Sequence, residues 1–146
     1  MKISTKGRYG LRAMVDLAIH SDQKPISLGN IASRQGVSIN YLEQAFALLK
    51  KAKLVKGTKG PSGGYQLGKA PEVMKVIEIL EVLEGNLCIE EPEIDDGDDL
   101  MRCCIKKLVW QPIDEELQEA LTDMTLQDLL QDYYQQKECE GLMFYI

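Results

Sequence analysis

The side chains best suited to chemistry lie along one face of a helix predicted over residues 38–52. With 3.6 residues per turn, Asn40, Glu43, Gln44 and Lys51 point in similar directions from the helix axis. They supply amides, one carboxylate and one ammonium, which form hydrogen bonds and ion pairs but contain no nucleophile with its base. The pattern therefore indicates a surface that recognises a partner through polar contacts.

The opposite face of this helix is apolar, and a second short helix is predicted just before it. Ser27 is placed to cap the short helix, Gly36 to end it, and Ser38 to begin the polar-faced helix. Two helices joined by a tight glycine-containing turn are typical of a helix-turn-helix. The residues predicted to be buried on the apolar face are Leu42, Ala45, Phe46, Leu49 and Ala52.

A β-hairpin is predicted directly after the helix-turn-helix. Leu54–Thr58 and Tyr65–Leu67 alternate like strands, and the turn between them is rich in glycine. Its tip carries Lys59, Gly60 and Ser62, and nothing in the turn geometry requires a cation there. A helix-turn-helix followed by a hairpin predicts a winged helix, whose second helix enters a major groove while the wing reaches along the nucleic-acid backbone.

The charge of the chain is divided between its two halves. Although the whole chain has a formal charge of −6, residues 1–75 hold 13 basic and 4 acidic residues, a formal charge of +9. The remainder holds 4 basic and 19 acidic residues. A basic winged helix favours double-stranded DNA as the partner, whereas the alternative is two solvated surfaces that differ only by chance.

The first predicted helix also carries several basic residues. Ser4 or Thr5 is predicted to cap it, and Lys6, Arg8 and Arg12 follow in its first turns. Cations near a helix N-terminus oppose the helix dipole, so phosphate contact explains them better than helix stability does. Its predicted apolar stripe is Leu11, Met14, Val15, Ala18 and Ile19, and His20 falls at its end without a second histidine that would suggest a metal site.

The C-terminal part is predicted to be helical and to lack an intrachain partner. Pro71 is expected to open a helix that Gly85 closes, which completes the core of the winged helix by about residue 85. Seven acids within residues 90–99 predict a mobile, solvated loop. A discontinuous apolar stripe then follows, with Pro112 kinking it or starting a new helix, and an unpartnered stripe predicts a homodimer. The stripe consists of Leu100, Cys104, Leu108, Leu117, Leu121 and Met124.

The predicted fold class is mostly α: a winged helix-turn-helix with a small β-hairpin wing and a long C-terminal dimerisation helix. Residues 1–85 form the expected DNA-binding domain, 86–99 an acidic effector loop, and 100–146 the dimerisation helices and tail. The chain shows no run of about 18 apolar residues and no signal-peptide core. We therefore expect a cytoplasmic protein without a membrane partner.

Several segments resemble the Rrf2 family of bacterial transcription regulators. They are Met-Lys-Ile-Ser-Thr-Lys-Gly-Arg-Tyr-Gly-Leu at the N-terminus, Tyr-Leu-Glu-Gln at 41–44, Lys-Gly-Pro-Ser-Gly-Gly-Tyr-Gln-Leu-Gly-Lys at 59–69 and Thr-Leu-Gln-Asp-Leu at 125–129. The resemblance covers nearly the whole chain. It implies a winged helix with a long dimerisation helix, and a role in iron–sulfur cluster assembly, cysteine metabolism or the nitric-oxide response.

The resemblance also implies which residues touch DNA. Ser38, Asn40 and Glu43 would face base edges, whereas Lys6 and Tyr9 would touch phosphate. The expected interface is completed by Tyr41, Gln44, Lys51, Lys59, Gly60 and Ser62. Lys59 stands where many members have arginine, and lysine is the poorer fork-type donor in a narrow minor groove.

Glu43 has two interpretations that depend on where its helix begins. If Asn40 is the N-cap, Glu43 occupies the third helical position and completes a capping box. If Ser38 is the N-cap, the Glu43 carboxylate is free to accept a hydrogen bond from a cytosine amino group. We favour the second interpretation because the Gly-Val-Ser turn ends at Ser38.

Three cysteines carry the possible regulatory chemistry, and Cys139 is expected to be incidental. In the family, several members hold an iron–sulfur cluster through three cysteines, and Cys88 and Cys104 fall in the corresponding region. Here no cysteine lies between them except the neighbouring Cys103, and Lys107 occupies the usual histidine position. The alternatives are a cluster on Cys88, Cys103 and Cys104, a redox-sensing thiol site, or inert cysteines with regulation through an effector protein.

The function that these patterns predict is a homodimeric, sequence-specific DNA-binding transcriptional regulator that senses iron–sulfur, cysteine or redox status. Its operator would be two-fold symmetric double-stranded DNA. The alternative is a winged-helix module that binds a partner protein. An enzyme is not expected, because the chain offers no nucleophile–base pair, no phosphate-binding loop of the Walker kind and a single histidine.

Overall fold

The computed structural model describes residues 2–20, 24–89 and 99–143. In chain order the elements are α1 (Thr5–Ile19), α2 (Leu28–Gln35), α3 (Ile39–Lys51), β1 (Val55–Thr58), β2 (Gly64–Leu67), α4 (Val76–Glu84), α5 (Leu100–Ile105), a π-helical turn (Lys106–Trp110), α6 (Gln111–Thr122) and α7 (Leu126–Met143). This order confirms the mostly helical class with a two-stranded hairpin. The predictions for the acidic segment at 90–98 and for residues 144–146 lie outside the described residues.

Helices α1 and α2 begin at predicted N-cap residues, and α2 ends at the predicted glycine. The Ser4 hydroxyl accepts a hydrogen bond from the N–H of Gly7, and the Ser27 hydroxyl accepts one from the N–H of Asn30. Gly36 ends α2 in the left-handed conformation with φ of 62°, which a side chain disfavours. These local signals fix the angle at which α3 leaves the turn.

The hairpin is antiparallel and is held to the helix-turn-helix by its second strand. Val55 pairs with Leu67 and Thr58 with Gly64. In addition, Tyr65 exchanges two backbone hydrogen bonds with Ile26, at N···O distances of 2.7 and 2.9 Å. A single bridge residue, Ile26 just before α2, therefore joins the base of the two-stranded wing to the helix-turn-helix.

The main core lies between α1, α3, α4 and the start of α7. Phe46 of α3 is fully buried, and its ring meets Tyr65 edge-on at 5.0 Å. The other fully buried apolar residues include Ala13, Met14, Leu17, Ile31, Leu42, Ala45, Leu49, Met74, Ile79 and Leu126. These burials confirm the predicted apolar face of α3 up to Leu49.

Two predicted apolar faces differ from the structure. Ala52 is exposed, because α3 ends at Lys51 and Ala52 is its C-cap. In α1 only Met14 of the predicted stripe is fully buried, whereas Ala13 and Leu17, outside that stripe, are fully buried. The other stripe residues are only partly buried: Leu11, Val15, Ala18 and Ile19. The cause is that α1 is covered from several sides, by α3, α4 and α7, rather than along one stripe.

The helix after the wing begins later than predicted. Lys75 is the N-cap of α4, and residues 71–73 form a turn in which Val73 is 58% exposed, contrary to the expectation that Pro71 opens the helix. The reason is long-range backbone pairing. The N–H of Val76 donates to the carbonyl of Met124 at 2.9 Å, and the N–H of Leu126 donates to that of Met74 at 2.8 Å. Extended backbone at 74–76 excludes an earlier helix start.

The C-terminal segment takes part in the core, so the expectation that the core closes by residue 85 is wrong. Leu126 is fully buried and Leu130 is 6% exposed. Leu117 and Leu121 of α6, which were expected to lack an intrachain partner, pack on a second cluster. That cluster consists of Val76, Leu80 and Leu87.

Local signals set the boundaries of the last helices. Thr125 and Asp128 bond reciprocally, since the Thr125 hydroxyl accepts from the N–H of Asp128 and the Asp128 carboxylate accepts from the N–H of Thr125. This reciprocal pairing is a capping box at the start of α7. Pro112 follows directly on the π-helical turn Lys106–Trp110, and the backbone is helical without a break from residue 100 to residue 122. Of the two expectations for Pro112, a new helix start is therefore wrong, and the irregularity beside it is the π-helical turn. No helix in the described part of the chain is long and apolar enough to cross a membrane.

Candidate nucleic-acid interface

The polar face of α3 is open to solvent. Ser38, Asn40, Glu43 and Gln44 are all exposed, whereas Leu42 and Leu49 of the same helix are buried. Ser38 occupies the N-cap position, and its hydroxyl makes no capping hydrogen bond. The Ser38 hydroxyl and three longer polar side chains can therefore all be directed outward, as recognition of base edges requires.

The position of the N-cap decides between the two interpretations of Glu43. Because Ser38 is the N-cap, Asn40 is the second residue of α3 and Tyr41 the third. Glu43 is then too far along the helix to complete a capping box, and the interpretation with Asn40 as N-cap is wrong. The carboxylate of Glu43 is left on the exposed face as a hydrogen-bond acceptor.

An aromatic contact joins α1 to the start of α3. The rings of Tyr9 and Tyr41 meet edge-on, with centroids 6.0 Å apart and planes at 74°. Tyr9 is half-buried and Tyr41 is 44% exposed, so both phenol groups lie near the protein surface. This edge-on geometry is a preferred one for aromatic pairs, and it joins α1 to the first turn of α3.

The predicted cations surround α3 on the outside. Lys6 is half-buried near the start of α1, and Lys51 is exposed at the end of α3. At the wing tip Lys59 and Ser62 are exposed, and Gly60 has φ of 105°, which permits the tight turn that presents them. All predicted contact residues therefore lie at or near the surface of one winged helix.

Lys50 is a further cation that the sequence pattern did not single out. Its ammonium lies over the middle of β1, where a Cβ atom on Gly57 would be 3.2 Å from Nζ. Glycine at position 57 thus leaves room for the lysine between α3 and the wing. The only sequence signal is its position near Glu43 on the helical wheel, which is too weak to distinguish it from an ordinary surface lysine.

A buried carboxylate lies behind the turn of the helix-turn-helix. The side chain of Asp16 is 1% exposed and pairs with Arg34, whose Nη2 lies 2.6 Å from Oδ1. Gln35 donates to the other oxygen at 2.7 Å, and His20 Nδ1 lies 3.4 Å from Oδ1. Burial raises the pKa of Asp16, but the hydrogen bonds from Arg34 and Gln35 outweigh it and hold the pKa below its ordinary value.

The described cysteines do not assemble a ligand set. Cys103 and Cys104 are exposed neighbours within α5, and Cys88 is half-buried after α4. Because α5 begins at Leu100, both thiols follow helical geometry and diverge by about 100° around the axis. No group of three potential metal ligands forms among residues 2–20, 24–89 and 99–143. In this arrangement the described side chains do not by themselves form a ligand set for a cluster.

Comparison with known proteins identifies relatives along most of the chain. The family model of Rrf2, described as an iron-dependent transcriptional regulator, matches residues 3–132. An HTH-type transcriptional regulator designated ORF2 from Azotobacter vinelandii is 36% identical over 130 residues, covering 89% of this chain and 79% of that protein. The HTH-type transcriptional regulator IscR of Erwinia tasmaniensis is 35% identical over the same length and with the same coverage.

Solved structures give the same result. The global cysteine regulator CymR (YrzC) of B. subtilis is 39% identical, with a TM-score of 0.75, and the match covers 90% of this chain and 97% of that one. IscR of T. potens is 43% identical, with a TM-score of 0.72 and coverages of 91% and 88%. These relatives are regulators rather than enzymes, and the winged-helix prediction is confirmed. The chain belongs to the Rrf2 family of transcriptional regulators.

Proposed function

We propose that the protein is a cytoplasmic homodimer that binds a two-fold symmetric site in double-stranded DNA. The observation that carries the proposal is the exposed polar face of α3 next to a wing tipped by Lys59. The same half of the chain has a formal charge of +9, which suits a polyanionic partner. Two such units related by a two-fold axis match a palindromic operator.

The proposed contacts fall into three groups. Ser38, Asn40 and Glu43 read base edges in the major groove, where the Glu43 carboxylate accepts from a cytosine amino group. The groups that bind phosphate are on Lys6, Tyr9, Tyr41, Gln44 and Lys51. At the wing, Lys59 enters the minor groove on a turn formed with Gly60 and Ser62.

The dimer is proposed to form through α5, the π-helical turn and the start of α6. This stretch exposes large apolar side chains, of which Leu100 is 81% and Leu108 67% exposed. So many exposed apolar side chains within 14 consecutive residues favour an interaction site over a solvated face. The exposed residues are Leu100, Met101, Ile105, Leu108, Val109 and Ile113. In the proposed organisation of the chain, residues 1–85 bind DNA, residues 86–99 receive the signal and residues 100–146 form the dimer.

Two substitutions test the DNA mechanism on sites selected from random duplexes. Glu43→Ala is expected to change the preferred base at one position, whereas Lys6→Met weakens binding to all sequences about equally. Wild-type affinity is expected to fall steeply with salt. Binding that is insensitive to salt, or an unchanged base preference after Glu43→Ala, contradicts the mechanism and favours the alternative module that binds a partner protein.

The signal is proposed to act through Cys88, Cys103 and Cys104. The support is that Cys103 and Cys104 expose free thiols on α5, next to the proposed dimer surface, while Cys88 follows α4 of the winged helix. One relative is named as a cysteine regulator and another as IscR. An iron–sulfur cluster and thiol oxidation are the two chemistries by which cysteines sense iron–sulfur or redox status.

Spectroscopy of anaerobically purified protein distinguishes these chemistries. Visible absorption together with bound iron and sulfide assigns a cluster. A colourless protein whose DNA affinity changes with a thiol oxidant, and no longer does so after Cys103→Ser and Cys104→Ser, assigns the thiols. A colourless protein that stays iron-free after reconstitution and is indifferent to oxidant overturns the cysteine proposal and assigns the signal to an effector protein.

A further inference from the structure

Among the described residues, Asp16 is the sole buried charged side chain, and more groups converge on it than its charge requires. Arg34 already engages both carboxylate oxygens, with Nε at 3.2 and 3.1 Å and Nη2 at 2.6 Å. This forked pair satisfies the buried charge. The hydrogen bond from Gln35, at 2.7 Å, is additional to this pair. It can therefore serve to orient the Gln35 side chain.

The contact with Asp16 fixes which way the Gln35 amide faces. An ionised carboxylate only accepts hydrogen bonds, so the group that faces Asp16 must be the amide nitrogen. The amide oxygen then faces away from the core and accepts from Arg12, whose Nε and Nη2 lie 3.3 and 3.1 Å from it. The buried carboxylate thus sets the position of an exposed guanidinium through one intervening amide.

This guanidinium lies beside the proposed DNA surface. Arg12 and Tyr9 are three residues apart on α1 and therefore share one side of that helix. Tyr9 contacts Tyr41 in the first turn of α3, and Arg12 contacts Gln35 at the end of α2. Both contacts therefore flank the short turn that carries Ser38, where α3 begins.

We propose that Arg12 binds a DNA phosphate and that Gln35, held by Asp16, is its positioning residue. The proposal rests on the DNA-binding function proposed above. Folding does not explain Arg12, because the guanidinium is exposed and its partner is a neutral amide oxygen rather than a carboxylate. With Nε and Nη2 turned toward Gln35, the remaining guanidinium N–H groups are free for a phosphate oxygen.

The first test compares Arg12→Met and Arg12→Lys on a duplex that the wild-type protein selects from random DNA. For a dimer that loses two phosphate contacts, Arg12→Met should lower the slope of log affinity against log salt by about 1.8 and the affinity by roughly tenfold. Arg12→Lys should keep the slope but lose part of the affinity, because lysine lacks the fork that Gln35 holds. Lys137→Met, which removes an equal charge from α7, should leave both unchanged.

The second test asks whether Gln35 acts through Arg12. Gln35→Met should weaken DNA binding in the wild-type background and have no further effect in the Arg12→Met background. Equal effects in both backgrounds, or an Arg12→Lys protein that binds like the wild type, overturn the positioning role. An unchanged salt slope after Arg12→Met overturns the phosphate contact. If the wild-type protein selects no duplex at all, the proposed function itself fails instead. Circular dichroism checks the fold of Gln35→Met, and the Arg12→Lys comparison does not depend on that variant.

Discussion

Ser4 donates two hydrogen bonds to one carboxylate oxygen of Glu84, 80 residues further along the chain. The backbone N–H lies 3.1 Å and the hydroxyl 2.5 Å from Oε1. The same Ser4 hydroxyl accepts from Gly7 as the N-cap of α1. The start of α1, where Lys6 and Tyr9 lie, is therefore fastened to the last residue of α4, just before the segment that contains Cys88.

Removing this carboxylate should weaken both stability and DNA binding. Glu84→Ala leaves the Ser4 N–H without its acceptor, and we expect the free energy of unfolding to fall by about 1–3 kcal/mol, measured by urea denaturation. DNA affinity should fall as well, because the first turn of α1 loses its anchor. Glu81→Ala is the matched control on the exposed side of α4. Equal losses for Glu81→Ala and Glu84→Ala would contradict this role.

The buried charge of Asp16 should give stability a specific acid dependence. Since its pKa in the folded protein lies below the ordinary value, its contribution is present above about pH 4 and is lost as the pH falls through the folded-state pKa. Asp16→Asn should cost about 1.5–3 kcal/mol at pH 7, because Arg34 and Gln35 lose a charged acceptor. The difference between wild type and variant should shrink as the pH is lowered below 4 in urea titrations.

Glu78 is the comparison for this acid dependence. Its pKa is also lowered, because the hydrogen bonds from Lys69 and the N–H of Lys75 outweigh the desolvation that raises it. The Glu78 side chain is 40% exposed, however, so solvent screens the pair. Glu78→Gln should cost less than about 1 kcal/mol at pH 7. A larger loss for Glu78→Gln than for Asp16→Asn would show that burial does not govern these pairs.

Replacing Lys59 at the wing tip by arginine should strengthen the preference of the protein for DNA with a narrow minor groove. Lys59→Arg is expected to raise affinity about threefold to tenfold for sites with A·T-rich sequence under the wing, and less for G·C-rich sites. Fluorescence anisotropy on the two duplexes measures the effect. Lys56→Arg, an exposed position in β1, should change neither affinity. An equal gain on both duplexes after Lys59→Arg would place this residue on the phosphate backbone instead.

Negative charges introduced into the exposed apolar surface of α5 and the π-helical turn should dissociate the proposed dimer. Leu108→Asp, combined with Ile105→Asp, is expected to convert a species of about twice the 16.4 kDa chain mass into one of chain mass by light scattering. Val73→Asp is the control, since Val73 is 58% exposed but belongs to the turn before α4. A dimer that persists in the double variant would assign the interface to another surface.

Local sequence signals predicted most of the helix boundaries and faces in the winged helix. Ser4, Ser27 and Gly36 act within one helical turn, so their roles follow from the local sequence. The two faces of α3 follow from its helical period, which places Phe46 inside and Glu43 outside. Such signals depend only on residues a few positions apart.

Long-range contacts account for most of the features that the sequence did not predict. The late start of α4 depends on backbone pairing between Val76 and Met124, which no local pattern encodes. The burial of Asp16 depends on Arg34, 18 residues away, and an isolated aspartate on a helical wheel gives no sign of it. The core role of Leu126 likewise depends on how the chain returns to α1, and the sequence after residue 85 suggested only an unpartnered stripe.

The backbone pairing between residues 74–76 and 124–126 affects where the chain can accept insertions and deletions. Because Val76 bonds to Met124 and Leu126 to Met74, the chain between Lys75 and Thr125 is a closed loop with both ends fixed at one point. Insertions or deletions beyond α4 in this loop leave the entry and exit points in place. Length differences among relatives should therefore concentrate between α4 and α6, where they leave the packing of α1, α3 and the start of α7 unchanged.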